Sequence, residues 1–425
     1  MTAPRHRSKV GRAVTRYRHA RRLLRTPASL QSRAGLDWTN FFIADVQTGF
    51  GTFVAFYLAD LGWSQSNVGL VLGSGGIAGV LSLVPGGALA DALPWKRALV
   101  AAGALMICGA ALIFALAPTF PLVFVAEILH GSTAGIMTPA IAAISLGLVG
   151  RRAMSLRTGR NFGFSGAGTA VTAGVLGAIG SFVAPRAIFL AAAALCAPAL
   201  IALSRIRPEE IDHARARNAP TGDAKLHRLI DLAKNRNLVA FAGCLMLFQF
   251  ANASMLPLLG ETFGATKAAH GAILISALII GPQVVVAVMA PSVGYLSEVR
   301  GRKPVLMVGF SLEVVRAVLF AFVTNTEAVI AIELLDGVTG SIFNVMTVLI
   351  ITDLTAGTGR FNLVQGVIGA LLAIAAALST GLSGFLFQGF GRAAGFLAIA
   401  AIAAGATAAA WMLLPETKPQ RYADH

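Results

Sequence analysis

The sequence predicts an all-α polytopic membrane protein whose twelve transmembrane helices form two pseudo-symmetric six-helix bundles. Three observations predict it. Apolar residues make up 56% of the 425-residue chain and charged residues only 12%, whereas soluble domains carry about 25% charge. Apolar runs near twenty residues recur along the chain, the length that crosses a ~30 Å hydrocarbon layer as a self-bonded helix. A set of short motifs repeats in the same order at an interval near 207 residues.

Read in order, the apolar runs place spans at 38–59, 67–90, 98–118, 121–149, 162–184, 187–204, 238–259, 270–297, 304–323, 327–352, 362–388 and 393–414. The 46 glycines suit close helix contact. The formal charge of +15 could suggest nucleic acid, but 30 of the 34 Lys and Arg fall on one side of the membrane by alternation. That is the positive-inside pattern, and it puts both termini in the cytoplasm of a bacterial-type inner membrane. Residues 1–35 form a basic arm with no acid before Asp37. No apolar segment directly follows Arg21-Arg22, so no cleaved signal is expected. The arm is expected to lie against anionic lipid. The two bundles are expected at 36–204 and 238–415, joined by a polar linker at 205–237 with a short amphipathic stretch near Lys225–Lys234, and followed by a tail at 416–425. Cys108, Cys196 and Cys244 lie inside apolar spans without metal-type spacing, and are expected to be small buried hydrophobes.

The repeat is explicit. Gly87-Ala-Leu-Ala-Asp91…Lys96-Arg97 follows span 2, and Gly294-Tyr-Leu-Ser-Glu298…Gly301-Arg302-Lys303 follows span 8. Glu127-Ile-Leu-His130-Gly131-Ser-Thr133 in span 4 matches Glu333-Leu-Leu-Asp336-Gly337-Val-Thr339 in span 10, and Thr158-Gly159-Arg160 matches Thr358-Gly359-Arg360. Glycine permits tight helix contact, and an acid at the end of span 2 suits a neighbouring helix N-terminus.

Over residues 36–417 this pattern resembles the major facilitator superfamily: six plus six spans, a cytoplasmic middle loop, and a duplicated Gly-x-x-x-Asp…Gly-x-Arg-Lys loop. The resemblance implies the major facilitator fold, a gating role for both loops, and a central cavity lined by spans 1, 4, 7 and 10. Ala92 and Pro94 depart from the loop pattern in the first copy, and Glu298 and Val299 in the second. Glycine-rich span 5 lacks the Gly-Pro pair of the family's antiporter motif.

Ionisable groups at membrane depth cost roughly 2.5–3.5 kcal/mol each on insertion scales and mark pathways. Phe41, Asp45, Thr48, Gly49 and Thr52 form a polar stripe on span 1 at helical spacing. Asp45, Glu127, His130, Glu333 and Asp336 are the candidate proton carriers, since an unpaired buried carboxylate favours its neutral form and histidine titrates near neutrality. Glu313 and Arg316 in span 9 are expected to form an ion pair, with Glu333 or Asp336 as alternative partners for the arginine. Phe41, Thr48, Thr52, Gln249, Asn252, Phe343 and Asn344 are the candidate solute contacts, with a kink expected at Pro257.

The functional expectation is a monomeric secondary carrier that moves a small amphipathic organic solute by alternating access. It is expected to be proton-driven, with export the preferred direction. Two alternatives stand beside it: a divalent-metal carrier using the same acids and His130, and a non-transporting membrane sensor or scaffold. No phosphate-binding Gly-x-x-x-x-Gly-Lys-[Ser/Thr] loop occurs, so no nucleotide cofactor, resident metal, nucleic-acid partner or enzymatic activity is expected.

Overall fold

The structure, a computed structural model, describes residues 28–219, 232, 234–264 and 269–418; within these, the side chains of 45–52, 56, 181, 260–264, 269–277 and 386 are not described. The basic arm up to residue 27 and most of the amphipathic linker stretch therefore lie outside the described residues.

The described chain is helical throughout its spans. In order come α1 (Leu30–Asp60), α2 (Gln65–Ala92), α3 (Lys96–Leu116), α4 (120–149), α5 (151–182) and α6 (Pro185–Ser204). After the linker come α7 (Arg236–Ala253, continued by Met255–Gly264), α8 (Ala269–Arg300), α9 (Arg302–Phe322), α10 (Thr326–Leu354), α11 (361–390) and α12 (392–413). Among the described residues, ten stretches are long and apolar enough to cross a membrane. One of them, Phe120–Gly180, contains both α4 and α5, because the chain turns at Gly150 (φ 67°, ψ 174°). The α11–α12 turn at Gly391 (φ 80°, ψ 173°) uses the same left-handed conformation, which glycine adopts without Cβ strain. Side chains cap several starts: Ser29 accepts from Ser32 N–H at 3.1 Å, and Asn325 from Glu327 N–H at 2.9 Å.

The structure differs from the sequence reading at three places, two of which have one physical cause. Helix α1 begins eight residues before its expected apolar start, and α5 begins eleven before. Charges end an apolar run, but they do not end a helix when ion pairs and solvent satisfy them. The break in α7 falls at Ser254, with a backbone turn to Asn252, rather than at Pro257.

The two halves meet at the end of the bundle that carries the linker, here termed the linker end. There α2 packs on α11 and α5 on α8. Glycine makes both contacts possible: a Cβ on Gly87 would overlap the Asn362 carbonyl, and one on Gly294 would lie 3.1 Å from Gly159 Cα. Toward the opposite end, Cβ atoms added at Gly174 and Gly177 of α5 or Gly381 and Gly384 of α11 would meet nothing within 4 Å among the described residues. The halves are closed at one end and diverge at the other. The linker reinforces the closed end. Asp212 N–H donates to Gly147 O (3.3 Å) in the first half, while Asn218 O accepts from Gly357 N–H (3.0 Å) in the second.

Candidate functional site

The repeated loops come first, because they sit on the seam. Asp91 is buried, and its carboxylate accepts from Asn362 N–H (3.2 Å), Asn362 Nδ2 (2.8 Å) and Leu363 N–H (2.8 Å). An acid in the first half thus caps the N-terminus of α11 in the second, where the free N–H groups and the helix dipole favour negative charge. Lys96 does not reach across. Its ammonium donates to the Ala90 and Leu93 carbonyls (Leu93 at 2.6 Å), closing the end of α2. Arg97 donates to Ser204 O at 3.4 Å, also inside its own half.

The second copy is wired differently. Glu298 accepts across the seam from Ser155 Oγ at 2.8 Å and lies 3.6 Å from Arg302. Arg302 is buried and pairs through Nε with Asp353 Oδ2 at 3.1 Å. Gly301 takes φ 102°, and Glu416 caps α9 by accepting from Arg302 N–H (2.8 Å) and Lys303 N–H (3.1 Å). Lys303 donates to Trp411 O at 2.7 Å and lies over the Trp411 ring. All nine residues of the two repeated loops therefore gather at the linker end, but only Gly87, Asp91, Gly294 and Glu298 touch the other half in these contacts.

Among the described residues, the densest in-membrane charge lies in the second half. Arg316, essentially inaccessible at 1% exposure, pairs with Glu313 (3.3 Å) and Asp336, donates to Asn252 Oδ1, and approaches Met255 Sδ at 3.3 Å. It ties α9 to α7 and α10. Glu333 is equally buried, and among the described residues its Oε2 has no hydrogen-bond partner; neither has Glu313 Oε2. Three carboxylates thus cluster around one guanidinium, with Glu333 outside its direct ion pairs. Asn252, a candidate solute contact in the sequence reading, accepts a hydrogen bond from Arg316.

In the first half, Glu127 and His130 lie 3.8 Å apart (Oε2 to Nδ1) on α4. Glu127 is buried against Gly75 of α2, where a Cβ would come within 2.7 Å of Glu127 Cγ.

Between the halves near the linker end lies a chamber of about 180 Å³, lined from α1, α4, α5, α10 and α11. Asn40, Thr138, Thr158, Asn161, Ser165 and Gln365 give it a polar wall. Thr158 Oγ1 and Gln365 Nε2 are buried there without hydrogen-bond partners among the described residues, donors of the kind that water or solute satisfies. Two sequence-predicted solute contacts lie elsewhere. Phe41 is turned from the chamber into a groove on the far side of α5, because the α1 face that looks inward here is that of Asn40, Ile43 and Ala44. Phe343 is buried in the core and stacks on Phe248 at 4.6 Å. Gln249 and Asn344 are half-buried. Asp45, Thr48 and Thr52 belong to α1, and their side chains lie outside the described residues.

Sequence reasoning missed a second buried network. Asp37 pairs with Arg157 and with Arg160 (2.7 Å); Arg157 Nε donates to Asn161 Oδ1 (2.6 Å), and Asn161 Nδ2 to Ser145 Oγ (2.7 Å). Asp353, Asn362 and Glu416 were also missed. Their signal was present only as charges and amides at span ends, which sequence reasoning assigns to topology.

Comparison with known proteins agrees with this architecture. The family model of the Major Facilitator Superfamily matches residues 37–284 and 238–424. An uncharacterized MFS-type transporter of Mycobacterium tuberculosis, found in two strains, is 36% identical over 387 residues, covering 90% of this chain and 93% of the relative. A chloramphenicol resistance protein of Pseudomonas aeruginosa is 33% identical over 132 residues, 31% of each chain.

Proposed function

The chain belongs to the major facilitator superfamily, and from that premise we propose that it is a proton-coupled carrier that exports a small amphipathic organic solute. It is a multi-pass membrane transporter, not an enzyme. The observation that carries the coupling proposal is the cluster of Glu313, Glu333 and Asp336 around Arg316. One guanidinium neutralises one carboxylate. In a low-dielectric interior the remaining acids need protons or a cationic partner. Glu333, lying beyond Arg316's direct ion pairs, is the proposed proton carrier. Asp336 is the switch, since its side chain is 28% exposed while it holds the arginine. Asp45 and the Glu127–His130 pair are proposed as secondary proton sites. The proton gradient, rather than a bound cofactor, supplies the energy.

The basic bias of the connections makes the linker end cytoplasmic, in a bacterial-type inner membrane. The arrangement with that end closed is then the outward-facing state, and Asp91 on α11 is its latch. The hydroxyl and amide groups of the chamber suit a solute with a few polar anchors on an apolar body. The partial likeness to a chloramphenicol resistance protein supports export of such a solute and makes chloramphenicol the first one to test. A divalent-metal cargo is disfavoured because Arg316 already fills the acid cluster.

The test is efflux in reconstituted liposomes under an imposed pH gradient, after a thermal-shift screen for solutes. Glu333→Gln should abolish gradient-driven accumulation while leaving solute exchange at equal pH. Retained accumulation removes Glu333 from the mechanism, and gradient-independent transport by the wild-type chain removes proton coupling.

A further inference from the structure

Helix α5 presents three faces near the linker end. Met154, Thr158, Asn161, Phe162 and Ser165 face the chamber. Ser155, Gly159, Gly163 and Gly166 meet α8. Leu156, Arg160, Phe164 and Ala167 look outward, into a groove that borders the seam at Gly163 and Pro291 but lies apart from the chamber.

The outer groove has two parts. One, of about 450 Å³, holds Arg33, Arg157 and Arg160 with Asp37 as the acid among its lining residues, a net charge of +2. Arg33 is exposed, and the Arg160 side chain is 58% exposed although Asp37 binds it. Leu156 and Arg160 continue the surface into the second part, of about 510 Å³, which is lined by Trp38, Phe41, Phe164, Ala167 and Pro291. Trp38, half exposed, packs on Phe41 (5.4 Å) and Phe164 (5.9 Å), and the Arg160 guanidinium lies 5.3 Å from the Phe164 ring centre. A half-exposed tryptophan beside arginines marks the headgroup level of a bilayer.

We infer that this groove is a binding site for one anionic diacyl phospholipid of the leaflet at the linker end. Its phosphate sits between Arg33 and Arg160, and an acyl chain runs along Trp38, Phe164 and Pro291. Charge complementarity selects the occupant: a net cationic pocket favours an anionic headgroup over a zwitterionic one, and guanidinium forks suit phosphate. An apolar trough continuous with the cations distinguishes a lipid from a free anion. Pro291 belongs to the other half of the molecule, so the lipid bridges the seam between α5 and α8.

The test uses the full chain in nanodiscs containing equal phosphatidylglycerol and phosphatidylcholine, with photoactivatable benzoylphenylalanine at position 156. Irradiation should capture phosphatidylglycerol preferentially, and Arg33→Gln should cut that preference about fivefold, the effect of one arginine at a membrane surface. Ala167→Trp, which fills the trough, should lower capture of phosphatidylglycerol, and melting curves identify any variant that fails to fold. Equal capture of the two lipids, or a preference unchanged by Arg33→Gln, overturns the proposal. Competition by millimolar inorganic phosphate also overturns it, in favour of a free-anion site.

Discussion

Helices α3 and α9 occupy equivalent places in the two halves, yet their interiors are opposite. Eleven and fourteen residues after its first residue, α3 carries Ile107 and Ala110, both fully buried; α9 carries Glu313 and Arg316 at the same positions. The neighbouring helices are more alike, with Glu127 and His130 on α4 matching Glu333 and Asp336 on α10. One half therefore builds a hydrocarbon wall behind its acids, and the other builds an ion cluster. Pseudo-symmetry fixes the scaffold, while the charge inserted into one copy makes that half the proposed seat of energy coupling. The loops diverge in the same manner: Asp91 caps a helix across the seam, whereas Arg302 of the second copy is tied by Asp353 within its own half.

Arg316→Met should break the contrast most severely. It strands buried Glu313 and Glu333 and the partly exposed Asp336 without their cation, and removing one partner of a buried pair costs about 3–5 kcal/mol. The melting temperature in detergent should fall steeply. The double variant Glu313→Ile, Arg316→Ala gives α9 the α3 residues and should recover part of that loss without restoring coupling; if it melts no higher than Arg316→Met, stranded charge is not the cause.

Gly87→Leu comes next. Its side chain would overlap the α11 backbone at Asn362, and overpacking typically costs about 1–3 kcal/mol. Spin labels at Leu89 and Val299, both exposed, should report a wider linker end; an unchanged distance distribution would show that α2 and α11 can close without this contact.

Asp91→Asn should cost about 1 kcal/mol, as lost helix caps do, because it removes the charge facing the start of α11. Glu298→Gln should cost less, within about 0.5 kcal/mol, since its ion-pair contact is partly exposed. Equilibrium melting of the two variants side by side checks the order. Equal losses would mean that the two loop copies contribute alike despite their different wiring.

How much was legible can be judged residue by residue. Glu313 and Arg316 share a helix face, so i, i+3 spacing sufficed to pair them. Asp336 was among the proposed partners because depth can be counted from the span ends. The spacing could not exclude Glu333, which is just as close in sequence to that depth, nor reveal that Asn252 from α7 completes the shell. Asp37 was read only as the end of a basic arm, because its partners Arg157 and Arg160 lie about 120 residues away. Phe343 and Phe41 looked like cavity wall because aromatic residues at helical spacing mark a face, but not which neighbour that face meets.

Composition and period by themselves determined that the chain spans a membrane many times, that it is duplicated, and where its charges lie in depth, because oil tolerates only satisfied backbone and scarce charge. Which end of the bundle is closed, that Asp336 joins Glu313 on the arginine, and which face of α5 meets chamber, seam or outer groove were decided only by tertiary structure. Those properties depend on how helices rotate and pack against one another, and a one-dimensional pattern carries no direction of its own.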